Sequence, residues 1–303
     1  MILLKQMLIF LFLMFLGYFM ARKGVLGKEV CKSISWLIVN VANPALVISS
    51  CAEHFLECRE LLFTLVLAVG LYLMMILVAE IVVPFFHLEK QKAGVYKAMI
   101  VFSNMGFMGF PMMSAMYGPE SLMYGSVFLI PFNLFIYTYG ISIISGTSFS
   151  PAEALKKCMN VGVVSVLITV VLSVFRISLP GGIAQTVSML GDLTGPLCML
   201  VIGASFVGIS FRELFRDGKL LLMSVMRLLL IPVLGLFVVR AFTGNTLLQS
   251  VSFIILATPV GSMVPMLTQE YEGDYVTASK GVALTMLLAV VTMPLLFMMM
   301  GLE

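Results

Sequence analysis

Two prolines lie inside long apolar segments, and each follows a polar residue by seven positions: Asn104 precedes Pro111, and Thr258 precedes Pro265. Proline removes a helical N–H and clashes with the preceding turn, so both segments are predicted to break. The N-terminus of a half-helix presents unpaired N–H groups and about half a positive charge, which suits an anion. Asn104 and Thr258 are therefore the first choices for hydrogen bonds to a carboxylate. The second choices are Ser103 and Ser262.

Two glycines flank the predicted break in the first segment, and a glycine and a further proline flank the break in the second. Non-helical backbone at membrane depth is tolerated only where protein or water satisfies its freed polar groups. A kink in a packed helix is the alternative interpretation, but matched breaks in two segments favour a transport site. The predicted crossover residues are Gly106, Gly109, Pro111, Pro259, Gly261 and Pro265.

The two broken segments belong to a repeated unit. Residues 100–120 recur at 254–274, and residues 40–46 recur at 192–198. The shifts of 154 and 152 residues are nearly equal, which indicates that two halves share one plan. The predicted halves are residues 1–150 and 151–303.

Further polar residues lie within the apolar segments. Asn43, a further candidate for substrate binding, and Asn40, a candidate for ion coupling or charge pairing, occupy one segment, and Asp192 occupies the matching one. If Asp192 is buried, desolvation favours its protonated form and makes it the best site for proton coupling; alternatively, it caps the helix that follows. Arg227 lies deep in another segment and is expected to pair with a carboxylate or to meet the substrate anion. Glu80 is either that carboxylate or an interfacial group, and the interface is favoured.

The composition places these residues in a membrane. Apolar residues make up 61% of the 303-residue chain, and the mean hydropathy is +1.11, which lies outside the range of soluble domains. Ten apolar segments are long enough to span a bilayer, five in each half, so the second half is predicted to be inverted. The predicted spans are residues 3–21, 33–51, 61–86, 94–117, 121–145, 158–176, 183–210, 218–242, 248–270 and 275–300.

The basic residues predict an orientation. Thirteen Lys and Arg residues fall on one side of this topology and four on the other, apart from Arg227. The richer side is expected to be cytoplasmic, which places both termini outside the cytoplasm. We therefore expect a multi-pass protein of the plasma or inner membrane. The net charge of +3 reflects this bias and predicts no nucleic-acid partner.

The sequence does not predict an enzyme, a cofactor or a metal site. Its predicted loops are too short for a soluble catalytic domain, and neither a phosphate-binding GxxxxGK[ST] loop nor HExxH occurs. His54 and His87 fall in loops on opposite faces, where they cannot share a metal ion.

Three stretches resemble the auxin efflux carrier family. They are NVANPALVISS at 40–50, SNMGFMGFPMMSAMYGPES at 103–121, and the region from ATPVGSMVP to YEGDYVTAS at 257–279. The resemblance covers essentially the whole chain. That family includes plant auxin exporters and bacterial malate or malonate permeases, and this chain is more similar to the bacterial members because it lacks a long central loop.

The resemblance implies an all-helical inverted repeat of ten helices. In that architecture spans one, two, six and seven form a scaffold, whereas spans three to five and eight to ten move. The resemblance places Asn104, Pro111, Pro259 and Pro265 where spans four and nine cross, with substrate between this crossing and the scaffold. It also raises a homodimer as an assembly.

The residues and the resemblance together predict a secondary carrier of a small organic anion, such as a mono- or dicarboxylate, that works by alternating access. The alternative is a transporter-like receptor that binds a small ligand without net flux. A proton is favoured over sodium as coupling ion, because the spans hold no obvious cluster of acids.

Overall fold

A computed structural model describes residues 2–50, 57–146, 158–208 and 214–301. Every regular element within these ranges is helical. The predicted boundary between the halves, at residues 150 and 151, lies outside the described residues. The helices are α1 (Ile2–Arg22), α2 (Lys28–Ser49), α3 (Cys58–Phe86), α4a (Lys90–Val101), α4b (Phe110–Tyr117), α5 (Pro119–Ser145), α6 (Val161–Val174), α7 (Gly181–Ser205), α8 (Gly218–Phe242), α9a (Thr246–Ala257), α9b (Met263–Glu270) and α10 (Tyr275–Met300).

The prediction of an all-helical membrane protein is confirmed by helix length and composition. Within the described residues, α2, α3, α5, α7, α8 and α10 are each long and apolar enough to cross a bilayer. Shorter apolar helices occur at Leu8–Arg22, α6 and α9a. The ten-helix inverted repeat stays a prediction.

Three prolines sit at the same distance from a widened turn. A π-helical segment begins six residues before Pro44, Pro111 and Pro232 and ends two residues before each. A proline ring clashes with the carbonyl four residues earlier, and hydrogen bonds to the fifth residue move that carbonyl aside. The proline position therefore accounts for each local widening. The segments are Ile38–Ala42, Met105–Gly109 and Met226–Leu230.

Helix α1 packs tightly on α7 through two glycines. A β-carbon at Gly203 would lie 1.8 Å from the carbonyl oxygen of Met14, and one at Gly17 would lie 2.2 Å from that of Leu200. Small residues of this kind let membrane helices bring their backbones together. Helix α2 in turn packs on α6 and α7.

The broken helices lie at the centre of the other helices. Helix α4a packs on α3, α5 and α10, while α9a packs on α5 and α8. Nearly every residue of α9a from Leu248 onward is buried, and so is α4a from Gly94 onward except for Lys97. Since unpaired backbone groups are not stable against lipid, this burial is what allows the two helices to break.

Candidate functional site

The two unwound stretches, residues 102–104 and 258–262, cross and bond to each other. The N–H of Asn104 donates to the carbonyl of Pro259 at 2.8 Å, and the N–H of Gly261 donates to the carbonyl of Phe102 at 2.9 Å. This antiparallel bridge satisfies backbone groups that the breaks remove from the helices. We call the two stretches and their bridge the crossing.

The crossover residues do not all lie in the unwound backbone. Pro259 and Gly261 do, but the break in the first segment comes before its glycines. Gly106 and Gly109 lie in the π segment that leads into α4b, and Pro111 lies in the first turn of that helix. Pro265 likewise falls in the first turn of α9b. Pro265 thus stands where a helical N–H has no intrahelical acceptor, whereas Pro111 follows a continuous helical stretch whose π turn accommodates its ring.

Asn104 presents the clearest binding group at the crossing. Its side chain is 3% exposed, and its Nδ2 has no hydrogen-bond partner within the described residues. Asn43 of α2 contributes a second such atom, because its Oδ1 is buried without a partner in the same part of the chain. Asn43 lies against Gly106, where a β-carbon would be 3.3 Å from its Nδ2. Buried polar atoms are normally paired, so these two suit a polar ligand.

The remaining predicted polar residues have different surroundings. The Thr258 hydroxyl is fully buried and donates to the carbonyl of Ile255 at 2.8 Å. Ser262 is half-buried in the cap position of α9b, where its side chain forms no capping bond. The Asn40 amide donates to the carbonyl of Trp36 in its own helix. Ser103 is buried beside the phenol of Tyr72.

Four half-helix ends meet at the crossing. The carbonyl groups and the N–H groups at these ends differ in how many of them already form hydrogen bonds. The C-terminal carbonyls of α9a already accept bonds: Ile254 from the Thr258 N–H, Ile255 from the Thr258 hydroxyl, and Leu256 from Arg227. The first broken segment resumes its helix at Met105, with the π segment that leads into α4b, and the N–H of Phe110 already donates to the carbonyl of Met105. The first N–H groups of that π segment and of α9b have no acceptor in their own helix. The positive ends are thus more open than the negative ones, which favours an anion.

Arg227 supplies a buried positive charge next to the crossing. It lies in the π segment of α8, is 0% exposed, and donates from Nη1 to the carbonyl of Leu256 at 2.7 Å. Its Nε and Nη2 have no hydrogen-bond partner within the described residues. Because a buried guanidinium is strongly destabilised without a counter-charge, this position is suited to a function rather than to stability.

Glu80 is not the partner of Arg227. Its carboxylate pairs with Lys97 and accepts a hydrogen bond from the Tyr139 hydroxyl at 2.7 Å, on the exposed side of the helices. This agrees with the favoured interpretation of Glu80 as a group near the interface.

Asp192 departs from both interpretations of the sequence. Its side chain is exposed, so the premise of a buried carboxylate is wrong. It does not cap the following helical segment either, whose cap position is Leu193 and has no side-chain bond. The local polarity of the sequence could not reveal this, because exposure depends on how α7 packs. Proton coupling at Asp192 stays a prediction without support from burial.

Asp192 lines a cavity of about 210 Å³ between α1, α2, α4b and α7. Pro111 and Ser114 of α4b form part of its wall, and Gln6 of α1 adds a polar group. The contact of Pro111 with α7 is close, since a β-carbon at Gly195 would lie 3.5 Å from the proline ring. The cavity therefore lies where the second half of a broken helix meets α1, α2 and α7.

Two supporting residues were missed at the sequence level. The Thr285 hydroxyl of α10 accepts the N–H of Val260 at 3.1 Å and so supports the unwound backbone. Tyr72 of α3 is fully buried, its hydroxyl lies 3.8 Å from the sulfur of Met105, and it interacts electrostatically with Arg227. The only local signal for either was a polar group inside an apolar span.

Replacing Gly261 by Ala is expected to disrupt the crossing. A β-carbon at this position would lie 2.8 Å from the carbonyl oxygen of Ser103, and backbone on both sides would have to move. Overpacking of this kind destabilises by about 1–3 kcal/mol. We expect a lower melting temperature and reduced transport. Gly244→Ala is the matched control, because no atom lies within 4 Å of its β-carbon position; equal melting temperatures for the two variants would contradict the close approach.

A family model described as "Membrane transport protein" matches residues 2–297, nearly the whole chain. The chain belongs to this family, the auxin efflux carrier family. It is 26% identical to an uncharacterized transporter of Methanothermobacter thermautotrophicus over 94% of both chains. It is 24% identical to an uncharacterized transporter of Methanocaldococcus jannaschii over 92% of both chains.

Membership of the auxin efflux carrier family confirms the resemblance in the sequence. It makes the protein an integral membrane protein in contact with a lipid bilayer, and it points to a transporter rather than an enzyme.

Proposed function

We propose that this member of the auxin efflux carrier family is a secondary carrier of a small organic anion, a mono- or dicarboxylate, with its binding site at the crossing. The observation that carries the proposal is the Nδ2 of Asn104, which has no hydrogen-bond partner in the described part of the chain and is buried where two half-helices begin. A carboxylate oxygen is a suitable acceptor for this amide and for helix N-terminal N–H groups.

The charge of Arg227 supports an anion rather than a cation. The guanidinium bonds to Leu256, two residues before the unwound stretch, and lies entirely out of water. Charges interact more strongly in such surroundings than in solution. An anion at the crossing offsets the cost of burying this cation, whereas a cationic substrate adds to it.

The packing supports alternating access of the elevator type. Helices α1, α2, α6 and α7 pack mainly on one another, and α3, α5, α8 and α10 surround the broken helices. The first group corresponds to the expected scaffold and the second to the expected moving domain. Asn43 on α2 and Asn104 at the crossing belong to different groups, so substrate held between them contacts both.

The coupling ion and the orientation belong to the same proposal. We propose a proton rather than sodium as the coupling ion, because the spans hold no obvious cluster of acids for sodium. Asp192, which lines the cavity beside α4b, is the proposed coupling residue. Residence in the plasma or inner membrane, with both termini outside the cytoplasm, is supported by the distribution of Lys and Arg.

Thermal unfolding of the purified protein with a panel of small molecules tests the substrate class. A ligand of the native state raises stability by about 2.7 kcal/mol at a hundredfold excess over its Kd. We expect a mono- or dicarboxylate to raise the melting temperature, while the corresponding amide, with the same skeleton and no charge, does not. Stabilisation by neutral or cationic compounds alone would contradict the anion site.

A further inference from the structure

An apolar groove of about 300 Å³ runs between α1 and α10, away from the crossing. Leu11, Phe15 and Tyr18 line it from α1, and Leu287 and Val290 line it from α10. Phe206, just beyond the end of α7, contributes to the wall. The groove is open at its side, and Phe15 is 58% exposed. Because α1 and α10 are apolar helices of a membrane protein, we expect the open side of the groove to face hydrocarbon.

The groove differs from the other side of α1. Toward α7, the glycines at 17 and 203 bring the two backbones into contact and leave no space for a ligand at that level of α1. Toward α10, bulky side chains line the groove. At this level of α1 the gap therefore lies between α1 and α10, two helices that belong to different groups in the packing of the fold.

Two basic residues lie beyond one end of the groove. Arg22 is one helical turn past Tyr18 on α1, and its guanidinium carbon lies 6.0 Å from the centre of the Tyr18 ring. Lys23 follows it and is exposed. Neither residue forms an ion pair within the described residues. The apolar groove, the tyrosine at its end and the two basic residues beyond it follow one another along α1. This order matches a phospholipid, whose acyl chain is followed by the interfacial region and then by the phosphate.

We propose that the groove is a specific site for an anionic phospholipid, with one acyl chain between α1 and α10 and its phosphate at Arg22 and Lys23. The chain covers the apolar walls that the two helices leave apart, and the phosphate selects the lipid by charge. This site does not depend on the identity of the transported molecule.

Quenching by bromine distinguishes this site from ordinary lipid contact. The full-length chain with Trp36→Phe, which removes its single tryptophan, receives either Phe15→Trp in the groove or Phe12→Trp on the same helix outside it. Phe12 is 72% exposed, so both positions meet lipid. Each variant is reconstituted in bilayers that mix a non-brominated lipid with brominated phosphatidylglycerol or brominated phosphatidylcholine, and quenching gives the relative binding constant of the two lipids.

For the Phe15→Trp variant we expect phosphatidylglycerol to be preferred by about fivefold for each basic residue engaged. For the Phe12→Trp variant we expect no preference. Arg22→Gln with Lys23→Gln should abolish the preference, whereas Lys28→Gln with Lys32→Gln, at exposed residues on the nearby start of α2, should leave it unchanged.

Two results would overturn the proposal. Equal quenching by both lipids in the Phe15→Trp variant would make the groove an ordinary part of the lipid-facing surface. Absence of quenching by either lipid would mean that protein, such as a second copy of the chain, fills it.

Discussion

Replacement of Asn104 by Ala is expected to weaken binding of the transported anion by about 10- to 100-fold, because a hydrogen bond to a charged group contributes about 1.5–3 kcal/mol. The Asn104 side chain makes no hydrogen bond through Nδ2 to the described part of the protein, so its loss removes no internal contact of that atom. The backbone N–H of residue 104 still donates to Pro259. The Kd from thermal-shift titration should therefore rise while the melting temperature without ligand changes little.

Asn40→Ala is the matched control for this variant. It removes an asparagine amide from a membrane helix, but that amide bonds to the carbonyl of Trp36 in its own helix. We expect the Kd of the control to equal that of the wild type. An unchanged Kd in Asn104→Ala, or an equal increase in both variants, would show that the Asn104 amide does not bind the anion.

Replacement of Arg227 by Met is expected to preserve or raise the stability of the protein while it lowers transport. The charge is fully buried, and two of its three guanidinium nitrogens lack a partner within the described residues. Apolar replacement of buried charged groups is often neutral or stabilising. We expect the melting temperature without ligand to stay the same or rise. Uptake of the anion should fall at least about thirtyfold, because loss of one member of a buried charge pair costs about 2 kcal/mol or more.

Arg227→Lys separates charge from shape in this experiment. It retains the positive charge but not the planar guanidinium that donates to Leu256. We expect uptake intermediate between that of the wild type and that of Arg227→Met. If Arg227→Met transports at the wild-type rate, the charge is not part of the site. If it fails to fold while Arg227→Lys folds, the cation is structural.

Sequence patterns located the breaks but not their exact form. Proline and glycine predict where a helix is interrupted because they act through local backbone geometry. The sequence placed Gly106, Gly109 and Pro111 at the first break, yet the unwound residues are 102–104. The π segment before Pro111 accommodates the proline ring, so the chain stays helical there. The true break is held by bonds to the other unwound stretch, which local sequence cannot reveal.

The surroundings of the ionisable residues were harder to predict. Arg227 was expected to pair with a carboxylate or to meet the substrate anion. Its acceptor within the described residues is the backbone carbonyl of Leu256, and the contact with the anion stays a prediction. Every residue has such a carbonyl, and only the break after α9a leaves this one free. Asp192 was expected to be buried or to cap a helix, and it does neither. Exposure and pairing of these groups depend on tertiary packing, which hydropathy does not encode.

Counterflow in proteoliposomes tests the carrier mechanism most directly. Vesicles containing the wild-type protein are loaded with the acid that stabilises it most and are then given a trace of the same labelled acid outside. An alternating-access carrier predicts transient, saturable accumulation of label, absent from empty vesicles and strongly reduced in Asn104→Ala. Stabilisation by the acid without any accumulation of label would contradict a carrier and identify a receptor.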